Sequence, residues 1–190
     1  MNPNDNNIRV NALVATAAND INSPNRPNRK DQCSGNYKKA EIFVNGMKLM
    51  IENPRGSLRS GDDWIVSMID HYGYIDGVVG ADGDELDVNL RDINKIDMVT
   101  LIDQYIDGKY DETKVMIGYG EESDAFTSYL QGFDSNWPSE GHTVNTVDWE
   151  TFRRWTISGK TTKPFHKWNG QLLQNLKERT KKLQTLIDQL

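Results

Sequence analysis

Glu41-Ile42-Phe43-Val44-Asn45-Gly46-Met47-Lys48-Leu49-Met50-Ile51 sets two apolar runs on either side of an Asn-Gly pair. A two-residue type I′ turn needs φ > 0 at both central positions, and Asn-Gly meets that demand at little steric cost. The stretch therefore predicts a β-hairpin. Farther along, Trp64 to Met68, Val99 to Ile106 and Lys114 to Tyr119 read as strands, parted by loops rich in Gly and Asp. Helical spacing takes over at Glu121 to Leu130, with Ala125, Phe126, Tyr129 and Leu130 on one side and Gly132 as a C′ residue. Asp148 to Ser158 repeats the theme, with Trp149, Phe152 and Trp155 inward and Gly159 after the end. Short strands followed by a few helices predict an α+β chain, mainly β, built as a small barrel or curled sheet with helices outside.

The two ends differ from this middle. Residues 1–33 interleave nine asparagines, from Asn2 to Asn28, with Pro3, Pro24 and Pro27. Such a composition buries little surface to offset its ordering entropy, so it reads as an N-terminal arm. From about Trp168, Leu173, Leu176, Thr180, Leu183, Ile187 and Leu190 follow alternating three- and four-residue steps, with Leu172 and Leu186 widening the stripe. That is the a/d pattern of an amphipathic helix. Two readings stay open: a helix docked on its own domain, or one that pairs with another chain, since so short a seam is marginal alone.

The 22 Lys and Arg against 28 Asp and Glu give a net charge of −6, which argues against direct nucleic-acid binding. No apolar run approaches the ~18 residues of a membrane span. Leu13 to Ala18 is too short, and too weakly preceded by bases, for a signal peptide. Cys33 is the lone cysteine, so no internal disulfide ties the chain to an oxidising compartment. The expected setting is cytoplasmic.

Acidic residues crowd the middle of the chain. Asp82-Gly83-Asp84-Glu85-Leu86-Asp87 places aspartates at i, i+2 and i+5 about a glycine. Uncompensated carboxylates so close repel one another, and a divalent cation removes that repulsion. An EF-hand is excluded, because its sixth position holds Asp87 rather than glycine and its twelfth Ile93 rather than glutamate. An Asp-rich turn is the competing reading. His71 reads as a structural neighbour, His142 and His166 lack metal-ligand spacing, and Trp149, Trp155 and Trp168 read as core.

Asp82 to Val88 resembles the signature of the soluble, magnesium-dependent inorganic pyrophosphatases, and Tyr72-Gly73-Tyr74-Ile75 and Ile51-Glu52-Asn53-Pro54 resemble further segments of that family. The closer resemblance is to the pyrophosphatase-like domain of phage and mobile-element proteins. It is carried by Gly35-Asn36-Tyr37-Lys38-Lys39, by Arg55-Gly56-Ser57, by Arg59-Ser60-Gly61, by Asp111-Glu112-Thr113-Lys114 and by Lys163-Pro164-Phe165. It covers about residues 34–166, which divides the chain into an arm (1–33), the domain, and a C-terminal amphipathic helix (167–190).

The resemblance implies a small OB-like five-stranded barrel with flanking helices, and a hydrolase of pyrophosphate or a related phosphoanhydride using two or more Mg²⁺ ions. Asp82, Asp87, Glu112, Asp107 and Glu52 would bind metal, with Asp103 and Asp111 as rivals for the downstream positions. Asp84 would be the general base, and Arg59, Lys114, Tyr72 and Tyr129 would contact phosphate oxygens. Two departures weaken the positive side of the site: Leu130 stands where the larger enzymes follow the late tyrosine with lysine, and no second arginine lies between Arg59 and Tyr72. Lys160 and Lys163 are candidates to compensate. The alternative is a phage structural or accessory protein that keeps the fold as a scaffold, with weak or no catalysis. Its place would be the host cytoplasm or the virion, and it would meet copies of itself or phage structural proteins through the arm and the C-terminal helix.

Overall fold

The computed structural model describes residues 3–17, 23–24, 26–61, 63–135, 137–138 and 140–188. In chain order the elements are α1 (Pro3–Val14), α2 (Arg29–Cys33), β1 (Ala40–Val44), β2 (Met47–Asn53), β3 (Leu58–Ser60), β4 (Ile65–Ser67), β5 (His71–Val79) and β6 (Glu85–Leu90). They continue with β7 (Met98–Ile106), β8 (Lys109–Ile117), α3 (Glu122–Gln131), β9 (Thr143–Asp148), α4 (Trp149–Ser158) and α5 (Phe165–Ile187).

The hairpin forms as its turn chemistry dictates. Asn45 and Gly46 have φ of 45° and 79°, and Val44 pairs with Met47. Alternation along β1 buries Ala40, Ile42 and Val44 and leaves Glu41 and Phe43 outside. The hairpin starts a seven-stranded sheet in the order β1-β2-β5-β6-β8-β7-β9. Only β6 and β8 pair in parallel; the other neighbours are antiparallel. β3 and β4 form a separate two-stranded sheet. Among the described residues no pairing joins β1 to β9, so the architecture is α+β and mainly strand, with an open mixed sheet in place of a closed five-stranded barrel.

The core lies under this sheet. Leu49, Ile51, Val88, Leu101, Val115 and Ile117 point into it, and Phe152 and Trp155 of α4 close it. The expected inward face of α4 is thus confirmed; Asp148 caps the helix, accepting the Thr151 N–H at 2.7 Å. Gly132 ends α3 with φ of −76°, so that helix closes without the left-handed residue its glycine suggested.

The start of the chain departs from its reading. α1 is a helix whose Val10 and Val14 enter the core. They stand at i and i+4 on one helix face, a pair that the polar average of the segment hides. Its asparagines make tertiary contacts as well: Asn7 Oδ1 accepts the Ile93 N–H at 3.1 Å, and Asn11 Oδ1 lies 2.9 Å from His71 Nε2. Residues 1–2, 18–22 and 25 of the expected arm lie outside the described residues.

At the other end, α5 is anchored only by its first turn. Phe165 is fully buried, Trp168 packs against the core, and the buried Asp103 carboxylate accepts the Phe165 N–H at 2.7 Å and the His166 N–H at 3.0 Å. Beyond that turn, Leu173, Leu176, Leu183, Leu186 and Ile187 are exposed. The docked-helix reading fails for them; Leu190 lies outside the described residues. No described helix is long and apolar enough to cross a membrane.

Candidate active site

Strand alternation decides which side chains meet. On β8, Glu112 and Lys114 are two residues apart and share one face, while Thr113 between them points the other way. On β5, Tyr72 and Tyr74 share a face, and Tyr74 pairs in register with Asp87 of β6. Gly73 between them is forced by the neighbouring strand: a Cβ there would stand 1.9 Å from the Met50 carbonyl oxygen. Glu52 sits on β2 at a register shift between Ile51 and Asn53, and β3 supplies Arg59. The loop from Gly80 to Asp84 closes on itself. Gly80 donates its N–H to the Asp84 carbonyl at 2.6 Å, Asp82 Oδ1 accepts the Asp84 N–H at 3.1 Å, and Gly83 takes φ of 97°. Asp82 is therefore both a turn residue and a wall of the site.

These elements enclose one cavity of about 700 Å³. Eight of the ten residues expected from the sequence line it: Glu52, Arg59, Tyr72, Asp82, Asp84, Asp87, Glu112 and Lys114. Lys114 sits at its centre, with its ammonium on Asp87 Oδ2 and 2.7 Å from Glu112 Oε1. Tyr72 donates its hydroxyl to the same Asp87 oxygen at 2.6 Å, and the Arg59 guanidinium lies 4.4 Å from the Tyr72 ring centre. Glu52 Oε1 accepts the Tyr37 hydroxyl at 2.5 Å.

The charges of this cluster are strained by burial. Desolvation pushes Glu112 up to about 7; Lys114 opposes the rise, and repulsion from Asp87 and Asp82 adds to it. Desolvation also raises Glu52, against the hydrogen bond from Tyr37 and the charge of Lys39. Burial alone would depress Lys114, yet Tyr72, Asp87 and Glu112 hold its ammonium well above the usual lysine range. Among the described residues the cavity wall carries seven carboxylates (Glu52, Asp82, Asp84, Glu85, Asp87, Glu112 and Asp134) against the three bases Lys39, Arg59 and Lys114.

Two expected residues fall elsewhere. Asp107 is exposed, with φ of 51°, at the β7–β8 turn, where Gly108 follows with φ of 73°. Asp107-Gly108 is a hairpin dipeptide of the same kind as Asn45-Gly46, and that turn chemistry accounts for the aspartate. Tyr129 is buried behind the cavity wall, where its hydroxyl donates to Gln104 Oε1 at 2.9 Å and accepts the Trp137 indole N–H at 3.0 Å. It borders only a small void beside Arg59, Tyr72 and Lys114. The rivals Asp103 and Asp111 do not line the cavity either: Asp103 caps α5, and Asp111 accepts from Gln104 Nε2 at 2.5 Å. Lys160 and Lys163 are likewise absent from the wall.

Several lining residues escaped the sequence reading. Lys39 lies within a quoted block, and Tyr74 shares the strand period of Tyr72, so both carried a signal. Gln104, Phe133 and Trp137 carried none, since they reach the cavity only through the packing of α3 against β7 and β9.

Carboxylates from β2, β6, β8 and the Gly80–Asp84 loop are hard oxygen donors, the kind Mg²⁺ prefers. Among the described residues no three such ligands are preassembled about one point. Lys114 serves instead as the counter-charge between Asp87 and Glu112.

Fold and cavity together define a β-rich domain with an acidic pocket lined also by bases and aromatic rings. The inorganic pyrophosphatase family model matches residues 29–157, and the chain belongs to that family. Comparison with curated proteins and with solved structures gave no match.

Proposed function

We propose that the cavity hydrolyses a phosphoanhydride, with inorganic pyrophosphate as the simplest substrate and Mg²⁺ as the required cation. The observation that carries this reading is the charge of the wall. The seven carboxylates and three bases among the described lining residues leave a formal charge of −4, which repels a polyanion unless cations intervene. Two divalent ions would cancel it. When bound, Mg²⁺ acidifies a water and neutralises phosphate oxygens.

Asp84, exposed at the tip of its loop, takes the proton of the attacking water; the P–O–P bond breaks and two phosphates leave. Asp82, Asp87, Glu112 and Glu52 hold the cations, and the OB-like barrel of the wider family is the scaffold from which this open sheet is read. Lys114 and Tyr72 are committed to carboxylates here. Cations on those carboxylates would release both donors to phosphate oxygens, which couples metal loading to substrate contact.

Phosphate release from pyrophosphate with Mg²⁺ tests the proposal. Asp84→Asn removes the base and is expected to cost about 100-fold or more in kcat, the usual worth of general-base catalysis. Equal, background-level release from both proteins would end the hydrolase reading.

A second reading rests on α5, whose exposed Leu173, Leu176, Leu183, Leu186 and Ile187 have no cover within the chain. They suit a helix that joins copies of this chain or ties the domain to phage structural proteins, in the host cytoplasm or in a virion. Enzyme and scaffold are compatible in one molecule.

A further inference from the structure

Hydrolysis of pyrophosphate leaves part of the cavity wall without a use. Besides the carboxylates, Phe133 and Trp137 line the cavity on the segment after α3, with Asp134 between them. Their rings stack at 4.0 Å with planes 9° apart. The indole is held in place by its N–H on the Tyr129 hydroxyl, and the His142 ring lies nearly parallel to it at 6.5 Å. Phe133 also meets Tyr129 edge-on at 5.1 Å. The result is a stacked aromatic pair on the wall of a polar cavity, held by Tyr129 and neighboured by His142.

Inorganic pyrophosphate carries only charged oxygens and has nothing to set against an indole. The volume is also large for it: cavities of ~300–1,000 Å³ are those that bury organic ligands, with apolar walls for the body and a few polar groups for orientation. At about 700 Å³ this cavity falls in that range; its wall is mainly charged, with Trp64, Phe133 and Trp137 among its aromatic faces.

We infer that the cavity takes a nucleoside polyphosphate, with its anhydride among the carboxylates and its base against Phe133 and Trp137. The inference deepens the phosphoanhydride reading and rests on it for the chemistry. Water adds to the terminal phosphorus, its proton passes to Asp84, and the terminal P–O bond of the anhydride breaks. The products are inorganic phosphate and a nucleoside phosphate one unit shorter. Stacking on an aromatic face is tolerant of base identity, so purine and pyrimidine nucleotides are both accepted.

The test uses the full chain with Mg²⁺ and three probes: pyrophosphate, ADP and ATP. Binding of ADP to the Asp84→Asn protein is measured by equilibrium dialysis, and turnover by phosphate release from the wild type. Trp137→Ala is expected to weaken ADP binding about tenfold. It should also raise the ADP-to-pyrophosphate KM ratio by a similar factor, and Trp137→Phe should restore most of both. Pyrophosphate cleavage with no ADP binding overturns the inference and spares the hydrolase reading. So does a Trp137→Ala loss that is equal for ADP and pyrophosphate. Tryptophan-dependent ADP binding with no cleavage of any probe supports the inference and removes the hydrolase reading instead.

Discussion

Replacing Glu112 by glutamine should reveal the electrostatic load that the cavity carries without metal. Burial lifts the Glu112 carboxyl from its ordinary 4.5 to about 7. A carboxyl raised in the folded state contributes stability that is complete below the unfolded value and is lost as pH rises through the folded one. The window is therefore pH 4.5 to about 7. At 1.36 kcal/mol per unit, the loss across it is roughly 3 kcal/mol.

The wild type alone would conceal this. Burial, aided by Arg55, depresses His71 from 6.5 to about 4, so its stability is present above 6.5 and lost as pH falls toward 4. That contribution is also roughly 3 kcal/mol, runs the opposite way, and overlaps the same window. The two slopes oppose one another, and the raised Glu52 adds to the fall, so the wild-type profile does not isolate Glu112.

The difference between Glu112→Gln and wild type removes the His71 slope, which both proteins share. Urea unfolding in EDTA at steps from pH 4 to 8 should show the variant gaining roughly 3 kcal/mol on the wild type as pH rises. Mg²⁺ should then narrow the gap at pH 8, because the wild type gains a ligand-stabilised state that glutamine supports less well. A gap that stays constant within about 0.5 kcal/mol across the range would refute a strained carboxyl at this position.

Two further outcomes test the frame of the site. Gly73→Ala drives a methyl to 1.9 Å from the Met50 carbonyl oxygen, so β2 and β5 must part; a loss of roughly 3 kcal/mol in urea unfolding is expected, and less than about 1 would show that the strands can yield. Ending the chain after Gly170 keeps Phe165 and Trp168 in the core but removes the exposed leucines; light scattering should show the full chain self-associated and the shortened one monomeric, and equal states for both would exclude α5 as the joining element.

Local rules were legible wherever a short segment settles its own conformation. Asn45-Gly46 fixed its turn through φ, and the spacing of Trp149, Phe152 and Trp155 fixed the inward face of α4. The cavity residues were legible through motif resemblance more than through physics, and the structure gathers eight of ten. Asp107 lies in the β7–β8 turn, off the cavity, since an aspartate before glycine also carries a turn signal. Tyr129 lies off the main cavity, beside a void it shares with Arg59, Tyr72 and Lys114, because sequence separation says nothing of which face of α3 meets the cavity. The arm was misread because the pair Val10 and Val14, with Asn7 and Asn11, matters only once β1, the residue 92–93 loop and His71 are present to receive it.

The register of β8 ties the site to the C-terminal helix. Glu112 and Lys114 face the cavity, so Thr113 must face the opposite side, where its hydroxyl donates to Asp103 Oδ1 at 2.6 Å. Asp103 pairs with Thr113 across β7 and β8, and its other contacts hold the first turn of α5, including His166 Nδ1 at 2.9 Å. A buried carboxylate with four donors is costly to disturb, so the start of α5 and the spacing of Glu112 to Lys114 are fixed by one strand in one register. A slip of β8 by one residue would carry Thr113 into the cavity and both charged side chains toward α5. The chemistry and the projecting helix therefore stand or fall on the same pairing, and an assembly built through α5 would present its cavities in a defined orientation.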